Sequence, residues 1–260
     1  MNHQQIIYAE DAGIATITLN RPQAYNALCA QMNSELMEVL DRLEEDAKIR
    51  VLIIGGANNN FAAGADIVEM MDATPFEAER TAETAHKIND RLESLKIPVI
   101  AAINGLALGG GFELALSCDF RIAGENSVFG LPETGLGIIP GAGGTQRLTR
   151  LIGPVKAKEI IMLGRRINGQ EAYEMGIVNK VVPDGEVMAE ARKMAARLME
   201  KPAAALALAK MAIGCCLNHD ISSGKLYERS LFSLSFASSD QKEGMKAFVE
   251  KRVPRYNHER

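Results

Sequence analysis

Two acidic residues occupy settings that penalise charge. Glu113 lies in GGGFELAL and Glu133 in FGLPETGLG, each among glycines and apolar side chains. A carboxylate buried in such company must find hydrogen bonds, shift its pKa or serve chemistry. Singly, either glutamate reads as readily as a satisfied buried acid or helix-start charge as it does as a group that serves chemistry. As a pair they are two proton-handling groups, able to give a proton at one atom of a substrate and take one at another. Gly109-Gly110-Gly111 runs directly into the segment that carries Glu113. A helix opening there presents unpaired N–H groups and the positive end of its dipole, a setting that holds a developing oxyanion. A triple glycine by itself reads as a tight turn or a close backbone contact, so the rest of the chain has to decide.

Other catalytic patterns are missing. In Gly135-Leu-Gly137-Ile-Ile-Pro140 a proline stands where the dinucleotide fingerprint needs its last small residue, and no GxxxxGK[ST] occurs. Neither GxSxG nor HExxH is present, and His3, His86, His219 and His258 are remote in sequence from both glycine clusters. Cys29, Cys118, Cys215 and Cys216 form no CxxC or zinc-ligand spacing and read as reduced, mostly structural thiols. No metal site is expected. With 29 Lys and Arg against 33 Asp and Glu, the net charge of -4 offers no overall positive field for nucleic acid or an anionic membrane. The apolar stretch IPVIAAINGLALGGGFELAL contains Asn104, Glu113 and three glycines, which lipid penalises. The start, MNHQQIIYAEDAG, lacks the pattern of a signal or transit peptide, so a cytoplasmic location is expected.

The elements that must position the two glutamates follow from periodicity. Ile6 to Leu19 predicts a hairpin around Asp-Ala-Gly, with Ala15, Ile17 and Leu19 alternating against threonines. Met32, Leu36, Val39 and Leu43 recur at helical spacing, and RVLIIGG reads as a buried strand. Thr74-Pro75-Phe76-Glu77 predicts a capping box that opens a helix running to about residue 95. Val99 to Ile103 reads as a core strand, Pro154 and Gly164 bracket a short helix, Gly169 to Met175 suggests another, and Ile177 to Val182 returns to strand. After Pro183 the strand signal vanishes and four helical segments follow. The reading is an α/β catalytic core over 1–183 and a helical region over 184–260, whose apolar faces suit either internal packing or a subunit interface.

LNRPQAYNAL, FAAGADIVEM, INGLALGGGFELALSCDFRIA and LPETGLGIIPGAGGTQRL occur in this order. On these blocks nearly the whole chain resembles the enoyl-CoA hydratase/isomerase, or crotonase, superfamily, and within it the short-chain hydratases. The resemblance implies a spiral of strand-pair and helix units with a C-terminal helical trimerisation region, trimers pairing into a homohexamer. It implies that the amides of Ala65 and Gly110 form an oxyanion hole for a thioester carbonyl. Glu113 is assigned to activating water and Glu133 to exchanging the Cα proton, which adds water across the 2,3-double bond of a trans-2-enoyl-CoA. Many isomerases, dehalogenases and decarboxylases of the superfamily depart at one or both acidic positions. Backbone groups near Ala63 and Ala65 are expected to hold the adenine of CoA, with Phe248 and Lys251 reaching the CoA of a neighbouring subunit. No cofactor is implied, CoA being part of the substrate. Gln23 stands where lysine is often found, and Tyr25 where a smaller apolar residue is. Two alternatives stay open: an isomerase or other acyl-CoA lyase on the same fold, and an RNA-binding or scaffold protein that retains it.

Overall fold

The computed structural model describes residues 3–216 and 218–258. Residues 1, 2, 217, 259 and 260, which the expected segments include, lie outside that description. The chain opens with the hairpin β1 (Ile6–Asp11) and β2 (Ile14–Leu19). Ala12 (φ 48°) and Gly13 (φ 83°) both take the left-handed conformation that a two-residue hairpin loop demands. Ala15, Ile17 and Leu19 are buried, as their alternation requires. Helix α1 (Ala30–Glu45) buries Met32, Leu36, Val39 and Leu43 along one stripe, and strand β3 (Val51–Gly56) follows it into the sheet.

From β3 onward the chain repeats one plan. The short α2 (Ile67–Met70) and the long α3 (Pro75–Ser94) follow β3, β4 (Val99–Ile103) passes through β5 (Leu106–Leu108) to α4 (Gly110–Leu116), and β6 (Phe120–Gly124) passes through β7 (Val128–Gly130) to a 3-10 turn (Pro132–Leu136) and α5 (Gly144–Met162). Then come β8 (Ile167–Asn168), α6 (Gly169–Glu174) and β9 (Lys180–Val182). The six-stranded sheet has the order β1-β2-β3-β4-β6-β9, parallel from β2 on, and the small sheet has the order β5-β7-β8. Ala62 bridges Ala107 in parallel, so the segment after β3 also joins the small sheet. Each turn of the spiral therefore lays one strand in the large sheet, one in the small sheet, and then a helix.

Thr74 accepts from the Glu77 amide while Glu77 bonds back to the Thr74 amide, the expected capping box at the start of α3. The helical C-terminal region comprises α7 (Val187–Met199), α8 (Ala203–Cys215), α9 (Ile221–Ser235) and α10 (Ser239–Glu250). Of these, α7 lies on the large sheet, where Val187, Ala191 and Ala195 pack against Val51, Ile53, Ile100 and Ile122. The opposite face of that sheet carries the main core with α1 and α4.

One expected helix joins an upstream neighbour and one expected strand is shortened. The helix read between Pro154 and Gly164 is present as the second stretch of α5, opening at Pro154 directly after the non-helical Gly153 (φ 78°), which joins it to a stretch that begins at Gly144. The missing N–H of proline is tolerated because the ladder is already interrupted at that bend. The last strand is confined to Lys180–Val182, because the amides of Ile177 and Val178 are both donated to Ala172 O to close α6. No helix among the described residues is long and apolar enough to cross a membrane.

Candidate active site

Helix α4 begins where the sequence placed its glycines. Glu113 lies in its first turn, donates its amide to Gly109 O, and is only 2% exposed. Its Oε1 accepts two backbone bonds, from Ala142 N at 2.8 Å and Gly144 N at 2.7 Å. Both bonds serve Oε1, and no donor to Oε2 is found among the described residues. Burial pushes the Glu113 carboxyl above the usual range, and the two amides together with the charges of His86 and Arg147 pull it back. The donors come from the GAGG segment that leads into α5. Gly144 can deliver its amide only because it lacks a side chain: a Cβ would lie 2.9 Å from Glu113 Oε1 and 3.0 Å from Leu131 Cδ1.

Glu133 comes from the next turn of the spiral, in the 3-10 turn after β7. Thr134 ties this turn to α5 by donating its hydroxyl to Ile161 O at 2.9 Å. The Glu133 side chain is 9% exposed and its Oε1 lies beside Gly109, 3.0 Å from where a Cβ of that residue would stand. Gly109 itself has φ 48° and ψ -128°, a conformation open to glycine alone, so two independent reasons exclude a side chain here. Glu133 Oε2 is buried without a hydrogen-bond partner. Burial, reinforced by the nearby charge of Glu113, raises the Glu133 pKa to about 7. The two carboxyls thus share a site in opposite circumstances, one held by two amides and the other left bare.

Gly110 and Ala65 lie side by side. A Cβ on Gly110 would lie 3.4 Å from Ala65 N, and both residues are partly exposed. Gly110 is the first residue of α4, whose N–H has no carbonyl a turn behind it. Around Ala65 the loop is joined to Leu28 through Leu28 N to Gly64 O at 2.8 Å and Asp66 N to Leu28 O at 2.9 Å, and among the described residues the Ala65 N–H has no backbone acceptor. LNRPQAYNAL is the frame of this loop. Asn26 donates to Ala57 O and Asn60 O, and Arg21 pairs with Asp66 at 2.6 Å, while Asp66 caps α2 through Val68 N. Gln23 and Tyr25 have exposed side chains. The Ala63 N–H is donated to Tyr25 O at 3.0 Å, so of this residue's backbone groups only the carbonyl is free for a ligand.

Phe248 and Lys251 stand apart from this cluster. Phe248 is 85% exposed on α10, Lys251 ends that helix in the left-handed conformation, and no hydrogen bond or ion pair among the described residues joins either to the 61–66 loop. A second group was missed in the sequence: Ala142 and Gly144, which hold Glu113, and Asn89 and Arg147, which both donate to Ala142 O. Their signal was in GAGGTQR, whose glycines mark an amide-rich turn before a helix even where they bind no nucleotide. Beside this turn, Phe76, Glu79, Arg80, Ala82, Glu83 and His86 of α3 line an open cavity of about 450 Å³. Of these, Ala82 lies 3.9 Å from where a Cβ of Gly141 would stand, and His86 lies 3.7 Å from where one of Gly143 would.

Two neighbouring amides near two buried carboxyls suit the polarising of a carbonyl and the movement of protons at the atoms next to it. Residues 9–259 match the family model described as enoyl-CoA hydratase/isomerase. The chain is 44% identical over 258 residues to a probable enoyl-CoA hydratase of Mycobacterium tuberculosis, covering 99% of this chain and 100% of that one. It is 44% identical over 253 residues to a crotonyl-CoA hydratase of Syntrophomonas wolfei, covering 97% of each. The crystal structure of an enoyl-CoA hydratase from Bacillus anthracis superposes with a TM-score of 0.94 at 42% identity, over 98% of this chain and 100% of that one.

Proposed function

Because the chain belongs to the enoyl-CoA hydratase/isomerase family and is an enoyl-CoA hydratase, we propose that Glu113 and Glu133 carry out the addition of water to a trans-2-enoyl-CoA within the hole formed by Ala65 and Gly110. The observation that carries this reading is the unequal treatment of the two carboxyls. Glu113 accepts two amide bonds, which favour its anion, whereas Glu133 has an orphaned buried oxygen, which favours its acid.

In the proposed reaction the thioester oxygen accepts from the N–H groups of Ala65 and Gly110, which draws electron density from Cβ. Glu113 Oε2 takes a proton from water as the oxygen bonds to Cβ, and the π electrons move through Cα to leave an enolate-like charge on the thioester oxygen. The α4 N-terminus adds its dipole to the two hydrogen bonds. Glu133 delivers its proton to Cα, the carbonyl re-forms, and a proton passed from Glu113 to Glu133 restores the starting state. The product is a 3-hydroxyacyl-CoA. No step calls on a metal or a redox cofactor, and among the described residues no group of three or more His, Cys, Asp or Glu is placed to hold a metal.

We assign the CoA adenine to the 61–66 loop, with the Ala63 carbonyl as acceptor, and the partner subunit's Phe248 and Lys251 to the remainder of CoA. Exposed apolar residues on the C-terminal helices, including Ile213, Phe232, Met245, Phe248 and Val249, support a homohexamer built as a dimer of trimers. We place the enzyme in the cytoplasm and in fatty-acid or related acyl-CoA degradation. The test is direct: the enzyme hydrates 2-enoyl-CoA thioesters of short to medium chain in the presence of a chelator, and light scattering gives six subunits. Hydration that stops with chelator and returns with one divalent ion, or a concentration-independent active monomer, overturns the corresponding part. Product analysis with 3-enoyl thioesters separates hydration from isomerisation.

A further inference from the structure

We infer that Arg147 is a positioning residue for hydration, acting through the Ala142 peptide on Glu113; this rests on the reading of Glu113 as the group that activates water. Glu113 Oε1 is held by the N–H groups of Ala142 and Gly144. The carbonyl of that same Ala142 is gripped from the other side by Arg147 Nη1 at 3.0 Å and Asn89 Nδ2 at 2.9 Å. Arg147 is itself fixed. Its Nε and Nη2 form a fork with Glu93 at 2.7 and 2.9 Å, and Nη2 also meets Asp90 at 2.8 Å. Its side chain is 14% exposed. Gly143 has φ 102°, and any Cβ there would occupy the place of the guanidinium, so the turn is shaped around this arginine.

Two consequences follow. The turn that presents both amides to Glu113 is tied through Arg147 to α3, the helix that lines the open cavity beside the site, so one guanidinium links the donors to the cavity wall. The guanidinium also supplies positive charge near Glu113. The charged or titratable groups that bear on Glu113 are His86 from α3, Arg147 from α5 and Glu133 from the 3-10 turn. Removing Arg147 leaves Asp90 and Glu93 unpaired nearby, so the field at Glu113 becomes more negative and its proton is held to higher pH.

The experiment compares Arg147→Gln, Arg147→Lys, the pair Asp90→Asn with Glu93→Gln, and Glu113→Gln, using a short 2-enoyl-CoA and a saturated acyl-CoA as a binding probe. Arg147→Gln should lower kcat about tenfold, leave acyl-CoA binding within about twofold, and move the acidic limb of kcat/KM upward by about half a pH unit. Arg147→Lys, which keeps the charge, should return the limb to its parent position while restoring kcat only in part, since lysine cannot form the fork. A folded Arg147→Gln with parent kcat and an unmoved limb overturns the proposal. If that variant does not fold, the Asp90/Glu93 pair decides: it keeps the arginine but frees it, and a parent kcat there overturns the tether. Glu113→Gln separates the two claims, because active Glu113→Gln sinks the reading of Glu113, whereas inactive Glu113→Gln beside a silent Arg147→Gln sinks only the role of Arg147.

Discussion

Gly144 donates its amide to Glu113 Oε1 at 2.7 Å, and a Cβ on that same residue would stand 2.9 Å from the oxygen it serves. The donor and the steric limit are one residue, so the carboxylate and the helix start can approach only this way. Gly144→Ala should therefore push Glu113 off its two amides. The expected result is a fall in kcat of about tenfold or more with a stability loss of about 1–3 kcal/mol from overpacking. Steady-state kinetics and thermal melts on the same preparation check it, and unchanged kcat would show that Oε1 need not be held.

Glu113→Gln and Glu133→Gln each keep size while removing carboxylate basicity. Each should lower kcat by about 10²-fold or more. The double variant should cost less than the product of the single losses, because both groups act on one reaction coordinate. Saturated acyl-CoA should still bind. Near-parent hydration by either folded single variant would reduce that glutamate to a structural acid.

Glu133 also predicts a pH-dependent stability. Its folded pKa, raised to about 7, lies above the ordinary carboxyl value expected in the unfolded chain. Between those values the folded state binds the extra proton, so stability from this group falls as pH rises through the window and is lowest above it. Glu133→Gln should therefore raise Tm more at pH 8 than at pH 5. Equal shifts at both pH values would mean that the buried carboxyl is not strained.

Gly110 is the first residue of α4, the one helical position where proline is readily accommodated. Gly110→Pro should then delete one donor of the hole with little loss of fold, lowering kcat by about 10²- to 10³-fold. Circular dichroism establishes folding, and a saturated acyl-CoA titration separates lost binding from lost catalysis.

What the sequence revealed was what neighbours in the chain decide. Thr74 and Glu77 are three apart and cap α3 as read; Ala12 and Gly13 turn the hairpin as read; the triple glycine runs into a helix that carries Glu113 in its first turn, as read. The rest depends on approach across long intervals. Ala142 reaches Glu113 from 29 positions away and Asn89 reaches Ala142 from 53, and no periodicity encodes either. Local patterning also found the helical stretch that opens at Pro154, but not that it joins the Gly144 stretch across the bend at Gly153. The Ala63 amide is committed to Tyr25, a pairing visible only in three dimensions.

Ala65 and Gly110 belong to successive turns of the spiral, and the Ala62–Ala107 bridge fixes the offset between those turns. On the proposed reading, the electrophile-activating device is therefore made of main chain and is indifferent to side-chain mutation, provided Gly109 and its neighbours keep the strand spacing. The reagents, by contrast, are side chains set on separate segments. Such a division leaves the activated carbonyl as a constant and the acids and bases around it as interchangeable parts, so that replacing one glutamate alters the reaction performed without dismantling the device that makes any reaction possible.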